Sequence, residues 1–131
     1  MTPEIGWLTA TASFTSVLWI PYVLDRIREH GAWNALRNPN RDARPAAAWA
    51  DRLMWAHANA VENLVVFATL VVAAHLVGAN GPITAAAAGG YFCCRVAHAA
   101  LYTAGVPVLR TVAFFGGFLA QAAFAVAVFV S

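Results

Sequence analysis

The sequence predicts an all-α integral membrane protein, a four-helix bundle of antiparallel, up-and-down topology. Composition, charge spacing and turn placement each point there. Hydrophobic residues make up 61 % of the 131-residue chain and charged residues 11 %, against about 45–50 % and about 25 % in soluble domains. Such a chain has too little polar surface to face water on all sides. The runs Ile5–Leu24 and Thr111–Ser131 hold no charged residue, and each is close to the ~20 residues that cross a hydrocarbon core as a helix. Gly and Pro punctuate the remainder at intervals that leave two more runs of that length.

The first helix is expected over about residues 5–24. It is not read as a cleaved signal peptide, which would open on a positive stretch. Here Glu4 precedes the run and Asp25-Arg26-Ile27-Arg28 follows it. The loop of about residues 25–47 comes next, with a turn at Asn38-Pro39-Asn40. Arginines 26, 28, 37, 41, 44 and 52 lie in or beside this loop, and the other connections hold only Arg110. The positive-inside rule then places this loop in the cytoplasm and both termini outside. A cell (inner) membrane location is expected. Trp7, Trp19, Tyr22, Trp49 and Trp55 fall near the expected span ends, where aromatic rings favour the interface.

The second helix is expected over about 48–77, with Glu62 the one acid between Leu53 and Val77. Gly78-Ala79-Asn80-Gly81-Pro82 ends it. The third runs over about 83–103 with one base, Arg95, and Gly105-Val106-Pro107 leads into the fourth at about 108–129. Both connections are so short that neighbouring helices must be antiparallel. Small residues at Ala85 to Gly90 and at Gly116-Gly117 mark faces where helices can approach closely. The whole chain reads as one transmembrane domain, without repeats. Cys93 and Cys94 are adjacent, match no metal-ligand or redox spacing, and are read as packing residues. A net charge of +2, without a basic and aromatic face, gives no reason to expect nucleic acid. Membrane lipids are the expected surroundings, with anionic headgroups favoured by the basic loop.

Polar side chains inside the spans carry the functional reading. A charge at the bilayer centre costs about 3 kcal/mol on insertion scales, so such residues face a bundle interior or a wet cavity. On the second helix Arg52, Asn59, Glu62 and Asn63 fall within an arc of about 100°. On the third, Arg95, His98 and Tyr102 fall within about 60°. Each residue alone has an ordinary explanation. Glu62 and Arg95 could form a buried ion pair that fixes register, His98 could bond a carbonyl, and Tyr102 could be an interfacial ring. Two stripes on adjacent helices, followed by Arg110, point instead to a polar cleft open to the cytoplasm. His57 and His75 lie about 120° from the first stripe and are read as packing or interface residues.

The run Asp51-Arg52-Leu-Met-Trp55-Ala-His57-Ala58-Asn59-Ala-Val-Glu62-Asn63 resembles the second-helix signature of the MAPEG family, the membrane-associated proteins in eicosanoid and glutathione metabolism. Arg95-Val-Ala-His98-Ala-Ala-Leu-Tyr102 resembles its third-helix signature, and Pro107-Val-Leu-Arg110-Thr111 the start of its fourth helix. Arg26-Ile27-Arg28 and Asn38-Pro39 match an Arg-x-Arg and an Asn-Pro. The likeness covers nearly the whole chain and suits a bacterial-type member.

The resemblance implies a homotrimer that binds glutathione between subunits near the cytoplasmic face. The activity it implies is a glutathione-dependent transferase or peroxidase acting on lipophilic electrophiles that arrive from the bilayer. By similarity Asn59, Glu62, His98 and Tyr102 hold the peptide, with Glu62 at its amino group. Arg26 and Arg95 balance its carboxylates, and Arg110 sits at the sulfur as the catalytic residue. Glutathione has two carboxylates, an amine and a thiol, and these residues offer cations, an acid and an amide to match. A guanidinium beside a thiol favours the thiolate, and arginine keeps its charge when partly buried. The chain departs from the pattern at Trp55, where glutathione-using members carry arginine, and at Ala58, where some carry another. Weaker glutathione binding, or a different thiol, is the expected consequence. Two other classes fit a polar intramembrane cleft: a small transporter, and a non-catalytic membrane scaffold. Compact four-helix exporters carry their essential acid in the first helix, which here has no charge within its span.

Overall fold

The computed structural model describes residues 1–38 and 44–131. The turn expected at Pro39-Asn40, and Arg41, lie outside the described residues. The helices are α1 (Pro3–Val17), α2 (Trp19–His30), α3 (Ala32–Leu36), α4 (Ala48–Val77), α5 (Pro82–Ala104) and α6 (Pro107–Val130).

The first span is longer than expected and broken in two. The break follows from Pro21, which has no N–H to offer the carbonyl four residues back, at Val17. The chain resumes at Trp19 as α2 and continues past Leu24 to His30. Hydropathy marks where a helix leaves the bilayer, but its backbone bonds persist beyond that point. The loop expected from residue 25 is therefore largely helical up to Leu36.

The later ends fall where the glycines are. Gly78 follows α4 at φ +77° and Gly105 follows α5 at φ +78°, a left-handed conformation that residues with a Cβ avoid. In each case the next residue's N–H bonds back into the last turn, Ala79 to Ala74 O at 2.8 Å and Val106 to Leu101 O at 2.9 Å. Pro82 and Pro107 open α5 and α6 at positions where a missing N–H costs nothing.

Pro3–His30, Ala48–Val77 and Pro107–Val130 are long and apolar enough to cross a membrane. α5, with Arg95 and His98, does not reach that hydropathy, yet its 23 residues extend about 34 Å. It packs against α1, α4 and α6, most extensively against α6. Its polar side chains Thr84, Arg95 and His98 are all buried, so helices rather than lipid surround them. Val65, Leu76, Val112, Phe115 and Val126, among others, are exposed on the outside, an apolar surface that suits lipid or further protein.

The two ends of the bundle are fastened differently. At one end Glu4, 1 % exposed, accepts hydrogen bonds from the Thr84 hydroxyl at 2.6 Å and the Gly81 N–H at 3.3 Å. A carboxylate is well placed at these free N–H groups of a helix start. At the other end Arg52 Nε donates to Thr103 O at 2.8 Å, tying the start of α4 to the end of α5. Near the Glu4 end the interior is apolar. Phe67 stacks on Tyr91 with centroids 3.7 Å apart, and Phe124 meets Phe67 edge-on. Small residues set the helix spacing as expected. A Cβ on Gly116 would lie 2.7 Å from Cys94 Sγ, and one on Gly89 3.2 Å from the Trp7 ring.

Candidate functional site

Arg95 is the centre of the polar region. Its side chain is 2 % exposed, and Gly117 of α6 leaves room for it, since a Cβ there would lie 3.0 Å from Nη2. Nη1 donates to Asn59 Oδ1 at 3.2 Å and Nη2 to Phe114 O at 3.5 Å. The guanidinium carbon stands 5.4 Å from the Tyr91 ring centre and 5.3 Å from that of Phe114, within cation–π range. Nε is buried without a hydrogen-bond partner, and no carboxylate pairs with Arg95 among the described residues. A buried guanidinium held by an amide, a carbonyl and two rings has its charge spread but not neutralised.

From Arg95 a row of groups runs along α5 towards its C-terminus. His98, one turn on, is buried, with ring centres 5.5 Å from Tyr102 and 6.0 Å from Phe114. Tyr102 in turn lies under the Arg110 guanidinium, 4.3 Å from ring centre to carbon. The short Gly105 turn makes this possible, because it brings the first turn of α6 back over the last turn of α5. Asn59, Arg95, His98, Tyr102 and Arg110 are thus brought together as a ladder on α4, α5 and α6.

Two expected site residues stand apart. Glu62 is exposed on α4 and makes no ion pair among the described residues, so the Glu62–Arg95 pair considered above does not form. It lies at the edge of the α4 arc, about 60° from Asn59, which turns it away from α5. Trp55 and Ala58 share that exposed face. Arg26, half-buried, belongs to a small cavity on α2 with Tyr22, Arg44 and Met54. The remaining stripe members serve the bundle. Arg52 binds Thr103 O, and Asn63 O accepts from Gln121 Nε2 at 3.1 Å.

Sequence reasoning missed Phe114, Gln121 and the Tyr22–His57 pair. Phe114 had no signal, being one aromatic in an apolar helix. Gln121 had one, as the only polar side chain between Val112 and Val130. His57 Nδ1 and Tyr22 Oη share a hydrogen bond of 2.9 Å, which joins α2 to α4 and gives the expected packing role a definite partner.

The MAPEG family model matches residues 6–130. The chain belongs to the MAPEG family. No curated protein and no solved structure matches it. Members of this family are mostly glutathione-dependent transferases and peroxidases, and with the three long apolar helices the membership makes this an integral membrane protein. The ladder is built from the third-helix and fourth-helix residues that carried the resemblance, and from Asn59 of the second-helix run.

Proposed function

We propose that this MAPEG protein is a membrane-bound glutathione-dependent transferase or peroxidase acting on lipophilic electrophiles, and that it works as a homotrimer. The observation that carries the reading is the ladder headed by Arg95, a buried cation with no carboxylate partner among the described residues. An anionic ligand neutralises such a group, and a thiol peptide with two carboxylates and one amine suits the whole set. Asn59, half-buried, meets a carboxylate end with the buried charge of Arg95 behind it, while Tyr102 and the edge of His98 line the body of the peptide. Arg110, fixed over Tyr102, stands where a thiolate needs a permanent positive charge. The thiolate sulfur then forms its bond to the electrophile, which releases its leaving group. With a hydroperoxide, two thiols yield a disulfide, an alcohol and water.

Glu62 and Arg26 complete the site from across a subunit boundary. The exposed α4 face holding Trp55, Ala58 and Glu62 is where a second copy docks, which brings the acid to the peptide's amino group. The arginine-rich end faces the cytoplasm of the cell that makes the protein, so glutathione enters there and lipophilic substrates enter from the bilayer.

Calorimetric titration of the detergent-solubilised protein with glutathione tests this reading. Wild type is expected to bind at millimolar concentration or below, and Glu62→Gln at least tenfold more weakly. Absence of binding at millimolar glutathione would overturn the glutathione reading and mean that Trp55 and Ala58 mark a lost or altered thiol site.

A further inference from the structure

A second concavity lies on the opposite side of α5 from the ladder. It is a groove of about 630 Å³ near the arginine-rich end, between α1–α2, α4 and α5. That is within the range of small-molecule sites. Phe14, Leu18, Trp49, Leu53, Ala99 and Ala100 supply much of its wall. The groove exists because α5 presents Ala99, Ala100 and Ala104 where larger side chains would fill it.

Among the described residues, Arg52 is the single charged one in its lining. Its guanidinium is fixed: Nε donates to Thr103 O, and the side chain lies across Gly105, where a Cβ would come within 3.3 Å of it. With Nε engaged and no hydrogen bond from the two terminal nitrogens among the described residues, these keep four N–H donors for a ligand. A rigid fork of donors at the mouth of an apolar groove is the complement of an anionic headgroup on an acyl chain.

We propose that this groove binds an anionic phospholipid, with one acyl chain along Leu18, Leu53 and Ala100 and the phosphate on Arg52. Charge complementarity selects the occupant. A neutral lipid would leave the fork unmatched, and an apolar helix of another chain would bury it without a partner. The site needs only residues of α1, α2, α4 and α5, so it stands whether or not the ladder binds glutathione.

Trp49 in the groove wall provides the readout. The protein is reconstituted in phosphatidylcholine vesicles containing a minor fraction of either phosphatidylglycerol or phosphatidylcholine with brominated chains, which quench tryptophan on contact. The Trp49 component is the difference between wild type and Trp49→Phe. Brominated phosphatidylglycerol is expected to quench this component at least twofold more than brominated phosphatidylcholine. Arg52→Gln abolishes the preference and Arg52→Lys retains most of it. Arg28→Gln, which removes an exposed charge outside the groove, leaves it intact. Ala100→Phe fills the groove and lowers quenching by both lipids, which keeps a test in hand if Arg52→Gln does not fold. Equal quenching by the two headgroups in wild type would overturn the proposal. So would a preference that survives Arg52→Gln, is lost equally in Arg28→Gln, or is unaffected by Ala100→Phe. Stronger quenching by a brominated free fatty acid would reassign the groove to that ligand, and no quenching by any lipid would mean that protein covers it.

Discussion

Arg95 separates two roles that a buried charge can have. Replacing buried ionic groups with apolar side chains of similar volume is often neutral or stabilising when no partner charge is left behind, and Arg95 has no carboxylate partner among the described residues. Arg95→Met is therefore expected to leave the thermal midpoint within a few degrees of wild type while glutathione affinity falls at least tenfold. Retained affinity would make Arg95 a packing residue only. Arg110 is expected to behave differently, because its charge matters most where negative charge gathers on sulfur. Arg110→Ala should lower kcat by about 100-fold, in the range seen when one stabilising donor is removed. KM for glutathione should change much less. Steady-state kinetics with a lipophilic electrophile and with a hydroperoxide measure that split. A parallel rise in KM would place Arg110 in peptide binding instead.

At the scale of elements, the α5–α6 pair depends on Gly116 lying against Cys94. A methyl group there would sit 2.7 Å from the sulfur. Overpacking of this kind costs about 1–3 kcal/mol, while alanine gains at most about 1 kcal/mol of helix propensity over glycine. The clash is the larger effect, so Gly116→Ala lowers the thermal midpoint. In a Cys94→Ala background the obstacle is gone, and the same change becomes neutral or stabilising. Thermal unfolding of the single and double variants forms the cycle that checks this, and additive effects would show that the two residues are not coupled. The long helices themselves were legible in order and number, because the bilayer converts length and hydropathy into spans. The break at Leu18 and the extension of α2 to His30 were not, since they depend on one proline's missing N–H and on helix continuing beyond the apolar run.

For the molecule as a whole, orientation and assembly are separate predictions. In a Cys93→Ser, Cys94→Ser background, cysteines at Asn34 and at Ser131 should react with a membrane-impermeant thiol reagent from opposite sides, Ser131→Cys in intact cells and Asn34→Cys only after lysis. The reverse pattern would invert the topology. Native mass spectrometry of the solubilised protein is expected to show three copies. A monomer that still binds glutathione would place the complete site within one chain and leave Glu62 without its proposed role. The site was legible in part for a related reason. Spacing placed Arg95, His98 and Tyr102 on one face of α5, and they do form one row with Arg110. Glu62 shared an arc with Asn59 and yet points away, because a 100° arc is wider than the contact that one neighbouring helix can make.

The sequence by itself determined that the chain is helical, that it lives in a membrane, and which residue types gather near its arginine-rich end. Those properties follow from local rules: hydrocarbon leaves no partners for an open backbone, glycine and proline end helices, and charge is rare where water is absent. Only the tertiary structure decided what each polar group faces. It gave Arg52 to Thr103 and a groove on one side of α5. It set Arg95 among Asn59, Tyr91 and Phe114 on the other, and used Glu4 to hold the start of α5. Periodicity fixes a side chain's angle about its own helix axis, and the rotation of one helix against the next is set by how small residues such as Gly116 and Gly117 let their neighbours close in.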